Sequence, residues 1–195
     1  DPAMGIRLTM NVMRGTFFAS NLLLVTDRMA PEELQAIREH GQRCRMGMGL
    51  LIGGPIVARD QHPASINVWL SDRSPDWEIG LKVANTDLPV LLGLLLAAPS
   101  GGQLRLCTAV RDPNELDNAR GFLETLIDQG RLPPTTTANV SSLPFMEALA
   151  GVGPADIHLL GLPEVIDLER LRAIQEAVRG PCLFLRDSGQ ESLLA

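Results

Sequence analysis

The sequence predicts an α/β fold, a mostly parallel doubly wound sheet flanked by helices, and three observations predict it. Short apolar runs of strand length recur along the chain, amphipathic stretches of helical spacing separate them, and several runs are apolar throughout instead of alternating. Strands covered by helices on both faces have that last property. With 195 residues, 45% of them apolar and 21% charged, the chain can bury a core of its own, as one domain or two small joined α/β halves.

The elements follow in chain order. Residues 1–20 make a mildly amphipathic lead-in with Arg7, Arg14, Phe17 and Phe18, and Asp1-Pro2-Ala3 ahead of Met4 reads as an expression remnant set aside from fold expectations. Asn21 to Thr26 (NLLLVT) is the first strand, closed by Asp27-Arg28. Pro31-Glu32-Glu33 opens a helix to about Arg45, because proline and acids suit a first turn whose N–H groups are unpaired and whose dipole is positive. Met48 to Ile52 is the second strand, stopped by Gly53-Gly54-Pro55, and Ile66 to Leu70 (INVWL) is the third. Ser74-Pro75-Asp76 then starts a helix carrying Trp77, Leu81 and Ala84, and Thr86-Asp87-Leu88-Pro89 is a fresh cap. Two consecutive helices, or one with a marked break, satisfy that pattern.

Beyond Gln103 the alternation is cleaner: strand Leu104 to Val110, helix Pro113 to Gln129, strand Thr136 to Ser141, short helix Phe145 to Ala150, strand Ile157 to Leu162, helix Leu168 to Val178 and strand Cys182 to Arg186. The glycine-rich Pro99-Ser100-Gly101-Gly102 marks a candidate boundary between halves 21–98 and 103–195. A short connection inside one continuous domain explains those residues equally well.

The net charge of −6 argues against nucleic acid and anionic membrane surfaces as partners, since phosphate-tracking proteins concentrate Lys and Arg. The local run Arg38, Arg43, Arg45 reads as a solvated helix face. Cys44, Cys107 and Cys182 lack CxxC spacing, and the last two sit in apolar runs, so they read as buried reduced thiols in a cytoplasmic protein. The longest apolar stretch, LPVLLGLLLAA from Leu88 to Ala98, is shorter than the roughly 20 residues a membrane span needs. It predicts a buried helix, with no direct membrane insertion.

Ligands of open α/β sheets bind at the carboxyl ends of strands, and the residues there are polar but chemically uncommitted. Neither GxGxxG nor GxxxxGK[ST] occurs, and the GxG of Gly47-Met48-Gly49 lies at a strand start instead of opening a helix. His40, His62 and His158 lack converging ligands, which predicts no metal site; His158 reads as packed or hydrogen-bonded in a strand, His40 and His62 as solvated. Ser188 in Asp187-Ser188-Gly189 lacks the strand–turn–helix context of a nucleophile elbow, so no catalytic residue and no cofactor is predicted. The two tryptophans bracket a polar turn, and Trp69, Asp72, Arg73 and Trp77 make a candidate interaction surface, since Trp and Arg are enriched at interface hot spots. The alternative places one Trp in the core and the other over a helix start.

The segment Ile66 to Ala97, INVWLSDRSPDWEIGLKVANTDLPVLLGLLLA, resembles the cytosolic C-terminal domain of prokaryotic cation–chloride cotransporters, within the amino acid–polyamine–organocation superfamily. The resemblance continues through Asp112 to Arg131, through ADIHLLGLP from Ala155 to Pro163, and through CLFLRDSGQESLLA from Cys182 to Ala195. It implies halves resembling universal stress proteins, a juxtamembrane lead-in, and a piece of a longer protein on the cytoplasmic side of the cell membrane. It also implies a non-catalytic role in regulation and oligomerisation, with the protein's own transmembrane transport domain and a second copy in a homodimer as partners. Universal stress proteins that bind ATP carry a glycine-rich turn after a late strand, and Asp187-Ser188-Gly189-Gln190 departs from it. The competing readings are a nucleotide-sensing domain of universal-stress-protein type and a small α/β enzyme.

Overall fold

The structure is a computed structural model that describes residues 2–14, 21–54, 63–71, 73–77 and 86–193. The described elements run α1 (Pro2–Arg14), β1 (Leu22–Thr26), α2 (Pro31–Cys44), β2 (Gly47–Ile52), β3 (Ser65–Leu70), α3 (Asp87–Ala97), β4 (Gln103–Ala109), α4 (Leu116–Gln129), β5 (Thr137–Ser141), α5 (Phe145–Gly151), β6 (Ile157–Gly161), α6 (Leu168–Val178) and β7 (Cys182–Arg186). The predicted helix from Trp77 to Ala84 falls mainly on residues 78–85, outside the described residues.

The seven strands form one sheet in the order β1-β2-β7-β6-β3-β4-β5. Strands β3 to β7 make a parallel block in which β3 sits centrally, paired with β4 on one side and β6 on the other. Strand β3 thus joins residues from before the glycine-rich turn at 101–102 to the strands that follow it. Strands β1 and β2 are parallel to each other, while β2 runs antiparallel to β7, with Leu50 opposite Phe184. No crossover links β2 directly to β7, so the right-handed βαβ rule does not set their relative direction.

Helices cover both faces. On one, Leu34 and Ile37 of α2, Leu149 of α5 and Leu171 and Ile174 of α6 pack with Met48, Leu50, Trp69 and Phe184. On the other, α3 and α4 pack through Leu88, Val90, Phe122, Leu123 and Leu126 against Ile66, Val68, Leu104, Leu106 and Leu159. Gly93 sets the seating of α3. A Cβ there would stand 2.9 Å from both Leu104 Cδ1 and Val68 Cγ2, so only glycine lets this almost wholly apolar helix lie so close to the sheet.

Local signals account for the helix ends. Pro31 lies in the first turn of α2, the Glu33 carboxylate accepts from the Ala30 N–H at 3.1 Å, and Arg45 ends the helix in the left-handed region at φ 54°. Asp167 caps α6 by accepting from the Arg170 N–H at 3.1 Å. Asp112 accepts from the Asn114 N–H, which makes Pro113–Glu115 a 3-10 turn, so α4 starts three residues later than its predicted start at Pro113.

Three expectations change. Pro2 and Ala3, set aside from fold expectations, begin α1, and Ala3 and Met10 are buried. The helix packs on α2 because Ala3, Ile6 and Met10 recur at helical spacing, meeting Leu23, Cys44 and Met46. His40, expected in solvent, is half-buried, its Nε2 2.9 Å from the Asn11 Oδ1 that α1 brings to it. Arg38 is buried beside the core residue Ile37, whereas Arg43 and Arg45 are exposed. A long aliphatic stem lets a cation follow its helix into a covered face. His62 lies outside the described residues.

Candidate functional site

The connections of the parallel block leave its centre in opposite directions. From β3 the chain crosses one face through α3 to β4; from β6 it crosses the other through α6 to β7. The crevice beyond the carboxyl ends of β3 and β6 is therefore a topological switch point, the position where open α/β sheets receive ligands. Two adjoining cavities lie there. One, of about 550 Å³, is lined by Leu70, Ser71, Arg111, Ser142, Phe145 and Arg170 among others, and the second, of about 210 Å³, shares Leu70, Ser71, Phe145 and Arg170 and reaches Gly161 and Ile174.

Trp69 is 5% exposed and lines the smaller cavity, with its ring edge-on to Phe145 at 5.7 Å between centroids. Its indole N–H points to His158 Nδ1 at 3.4 Å. Arg111 and Arg170 give the crevice cationic walls, and Ser71 and Ser142 add hydroxyls. That set suits an acidic ligand.

The described residues offer no metal cluster, and burial keeps two of the three thiols protonated. No group of three or more His, Cys, Asp or Glu converges among them. Cys44, Cys107 and Cys182 are free and buried. Burial pushes the Cys107 and Cys182 thiols up to about 12, so neither supplies a thiolate near neutral pH. Burial, and secondarily the Arg105 guanidinium, push His158 down to about 4, so it is neutral at pH 7.

Of the predicted interaction residues, the structure joins two and separates a third. Arg73 and Trp77 meet around Phe122: the Arg73 guanidinium lies 5.4 Å from the ring centroid, and the Trp77 ring centroid 5.8 Å from it. Trp77 Nε1 donates to Glu115 Oε2 at 2.8 Å, which pins the indole over the start of α4. Trp69 packs on the opposite face of the sheet. Asp72 lies outside the described residues. Sequence reasoning missed Phe122 and Glu115 as the partners of Trp77 and Arg170 as a cavity wall; Arg111 it placed among the residues at the carboxyl ends of strands, without a role. The signal for the arginines was their place just past a strand and in a helix first turn.

The family model for the second C-terminal domain of prokaryotic cation-chloride cotransporters matches residues 61–194. The crystal structure of the cytoplasmic domain of a prokaryotic cation chloride cotransporter is similar over 98% of this chain and 73% of its own, at 25% identity and a TM-score of 0.86. A universal stress protein from Archaeoglobus fulgidus DSM 4304 is similar over 97% of this chain and 66% of its own, at 13% identity and a TM-score of 0.53, a likeness of fold alone. The comparison with curated proteins finds no match.

Proposed function

Because the chain belongs to the prokaryotic cation–chloride cotransporter C-terminal domain family, we propose that it is a non-catalytic regulatory and oligomerisation module on the cytoplasmic side of the membrane. Its partners are its own transmembrane transport unit and a second copy of itself. The observation that carries this reading is the family match over 61–194, supported by likeness along nearly the whole chain to a structure described as a cytoplasmic domain. No helix among the described residues is long and apolar enough to cross a membrane.

Surface features support a contact role. Helix α1 buries Ala3 and Met10 but exposes Met4, Leu8 and Val12, at 65%, 66% and 63%, in one i, i+4, i+8 stripe. An apolar stripe of this kind on a folded domain is material for an interface. Arg73 and Trp77, half-buried over the core residue Phe122, offer a second surface with the residue types of hot spots. Cross-linking of the full-length transporter in vesicles, with and without residues 4–195 and at equal density, tests the oligomerisation half. The dimer fraction falls on deletion if the reading is right, and an unchanged fraction counts against it.

The crevice walls Arg111 and Arg170 favour a second reading, nucleotide sensing. Against it stands the turn after β7, whose amides are already taken: Glu191 Oε2 accepts from Ser188 N at 2.9 Å and from Gln190 N at 3.2 Å. An internal carboxylate in that turn repels a phosphate and uses the N–H groups that would cradle one. Calorimetry with ATP and Mg²⁺ gives no saturable heat on the first reading. Micromolar binding selects the second.

A further inference from the structure

Four side chains stand side by side across the parallel block, each the register partner of the next: Arg105 on β4, Asn67 on β3, His158 on β6 and Cys182 on β7. Strand alternation puts them all on the face that also carries Trp69 and Phe184. Donor chemistry fixes how they are oriented. Arg105 can only donate, so the Asn67 atom that its Nη1 meets at 3.3 Å is the amide oxygen, and the amide nitrogen is left over. The Trp69 indole N–H can only donate as well, so His158 Nδ1 accepts from it and the neutral imidazole carries its proton on Nε2.

Asn67 and His158 are both 0% exposed, yet Asn67 Nδ2 and His158 Nε2 have no hydrogen-bond partner among the described residues. Arg105, half-buried beside them, also donates to the neutral Val152 carbonyl at 3.1 Å, and no carboxylate of the described residues pairs with it. The row therefore holds one positive charge and two buried N–H donors with nothing to accept from them. Buried donors of this kind mark a missing acceptor. A Cβ at Gly180 would stand 3.7 Å from His158 Nε2 and 3.4 Å from the Ala155 carbonyl, ordinary contact distances, so the lack of a side chain at 180 leaves room of atomic size beside that nitrogen.

We propose that this row binds a small monovalent anion, chloride or another halide, held by Asn67 Nδ2 and His158 Nε2–H beside the Arg105 guanidinium. A halide accepts from every donor present and balances the charge. A water molecule brings no negative charge to the half-buried guanidinium. The site lies toward the amino-terminal ends of β3, β4 and β6, away from the switch-point crevice. That its occupancy informs the transport unit rests on the function proposed above; the binding itself does not.

The test uses the purified 195-residue chain at pH 7. Its melting temperature, followed while chloride replaces gluconate at constant ionic strength, rises and saturates, because a ligand that binds only the native state stabilises it. Bromide acts likewise, and crystals grown in bromide show an anomalous peak in contact with His158 Nε2. Asn67→Asp supplies a carboxylate of the same shape inside the row and loses the halide response. Gly180→Ala, which fills the space beside His158 Nε2, weakens the response and carries the test if Asn67→Asp does not fold. A buried water with no bromide peak, no melting response in the parent, or an undiminished response in both variants overturns the proposal.

Discussion

Acidification from pH 7 to pH 5 should destabilise this domain through one side chain, His158. Its ring is fully buried, and Nδ1, the nitrogen that would take the second proton, already accepts from the Trp69 indole. Burial and then the Arg105 guanidinium push its pKa from 6.5 to about 4. The neighbouring Cys107 and Cys182 thiols, pushed up to about 12, stay uncharged throughout and do not offset this. The unfolded chain takes up a proton near pH 6.5 and the folded one does not until about pH 4, so the unfolded state binds more protons in between and stability falls as pH falls. The contribution is complete above about 6.5, declines between 6.5 and 4, and levels off below. Each pH step between the two midpoints is worth roughly 1.4 kcal/mol, so the whole effect is about 3 kcal/mol, of which about 2 kcal/mol is gone by pH 5. Urea unfolding of the parent and of His158→Gln at both pH values, in gluconate so that halide occupancy does not enter, isolates this contribution. The parent should lose about 2 kcal/mol more than the variant. Equal losses, or a His158 imidazole NMR titration with a midpoint near 6.5, would show that burial does not hold the ring neutral.

Leu106→Asp should abolish folding. Leu106 is 0% exposed in β4 between Val68 and Ala138, so the change removes about 1.5–3 kcal/mol of burial and adds a carboxylate desolvation of several kcal/mol. Set against a domain stability of about 5–15 kcal/mol, that leaves little native protein, and a melting transition near the parent's would show the core is misassigned. Gly93→Val should cost about 1–3 kcal/mol by lifting α3 off Leu104 and Val68, measured by urea unfolding; an unchanged midpoint would mean the helix shifts freely.

The alternation from residue 103 to residue 186 was legible because β4, β6 and β7 are nearly continuous buried runs and Asp112 and Asp167 mark the starts of two helical segments. The 168–178 helix and the 182–186 strand fall where Asp167, the apolar period and the CLFLR run place them. The antiparallel β2–β7 junction was not legible, because β2 and β7 read as the same kind of buried run whichever way they point. Helix α1 escaped because its stripe of Ala3, Ile6 and Met10 has meaning only once α2 is present to receive it. The tryptophans show the same limit. Eight positions apart and joined by a polar turn, Trp69 and Trp77 look like one surface, but the sheet lies between them. The Arg105–Asn67–His158 row needs strand register across distant segments, which no local pattern encodes.

On the function proposed above, this domain biases a transport unit without forming part of the transport path. Ion flux through the full-length protein, reconstituted at equal density with and without residues 21–195, tests it most directly. Flux should survive deletion at an altered level. Unchanged flux would contradict regulation, and complete loss of flux in a folded, correctly inserted protein would show that the domain is part of the transport machinery itself.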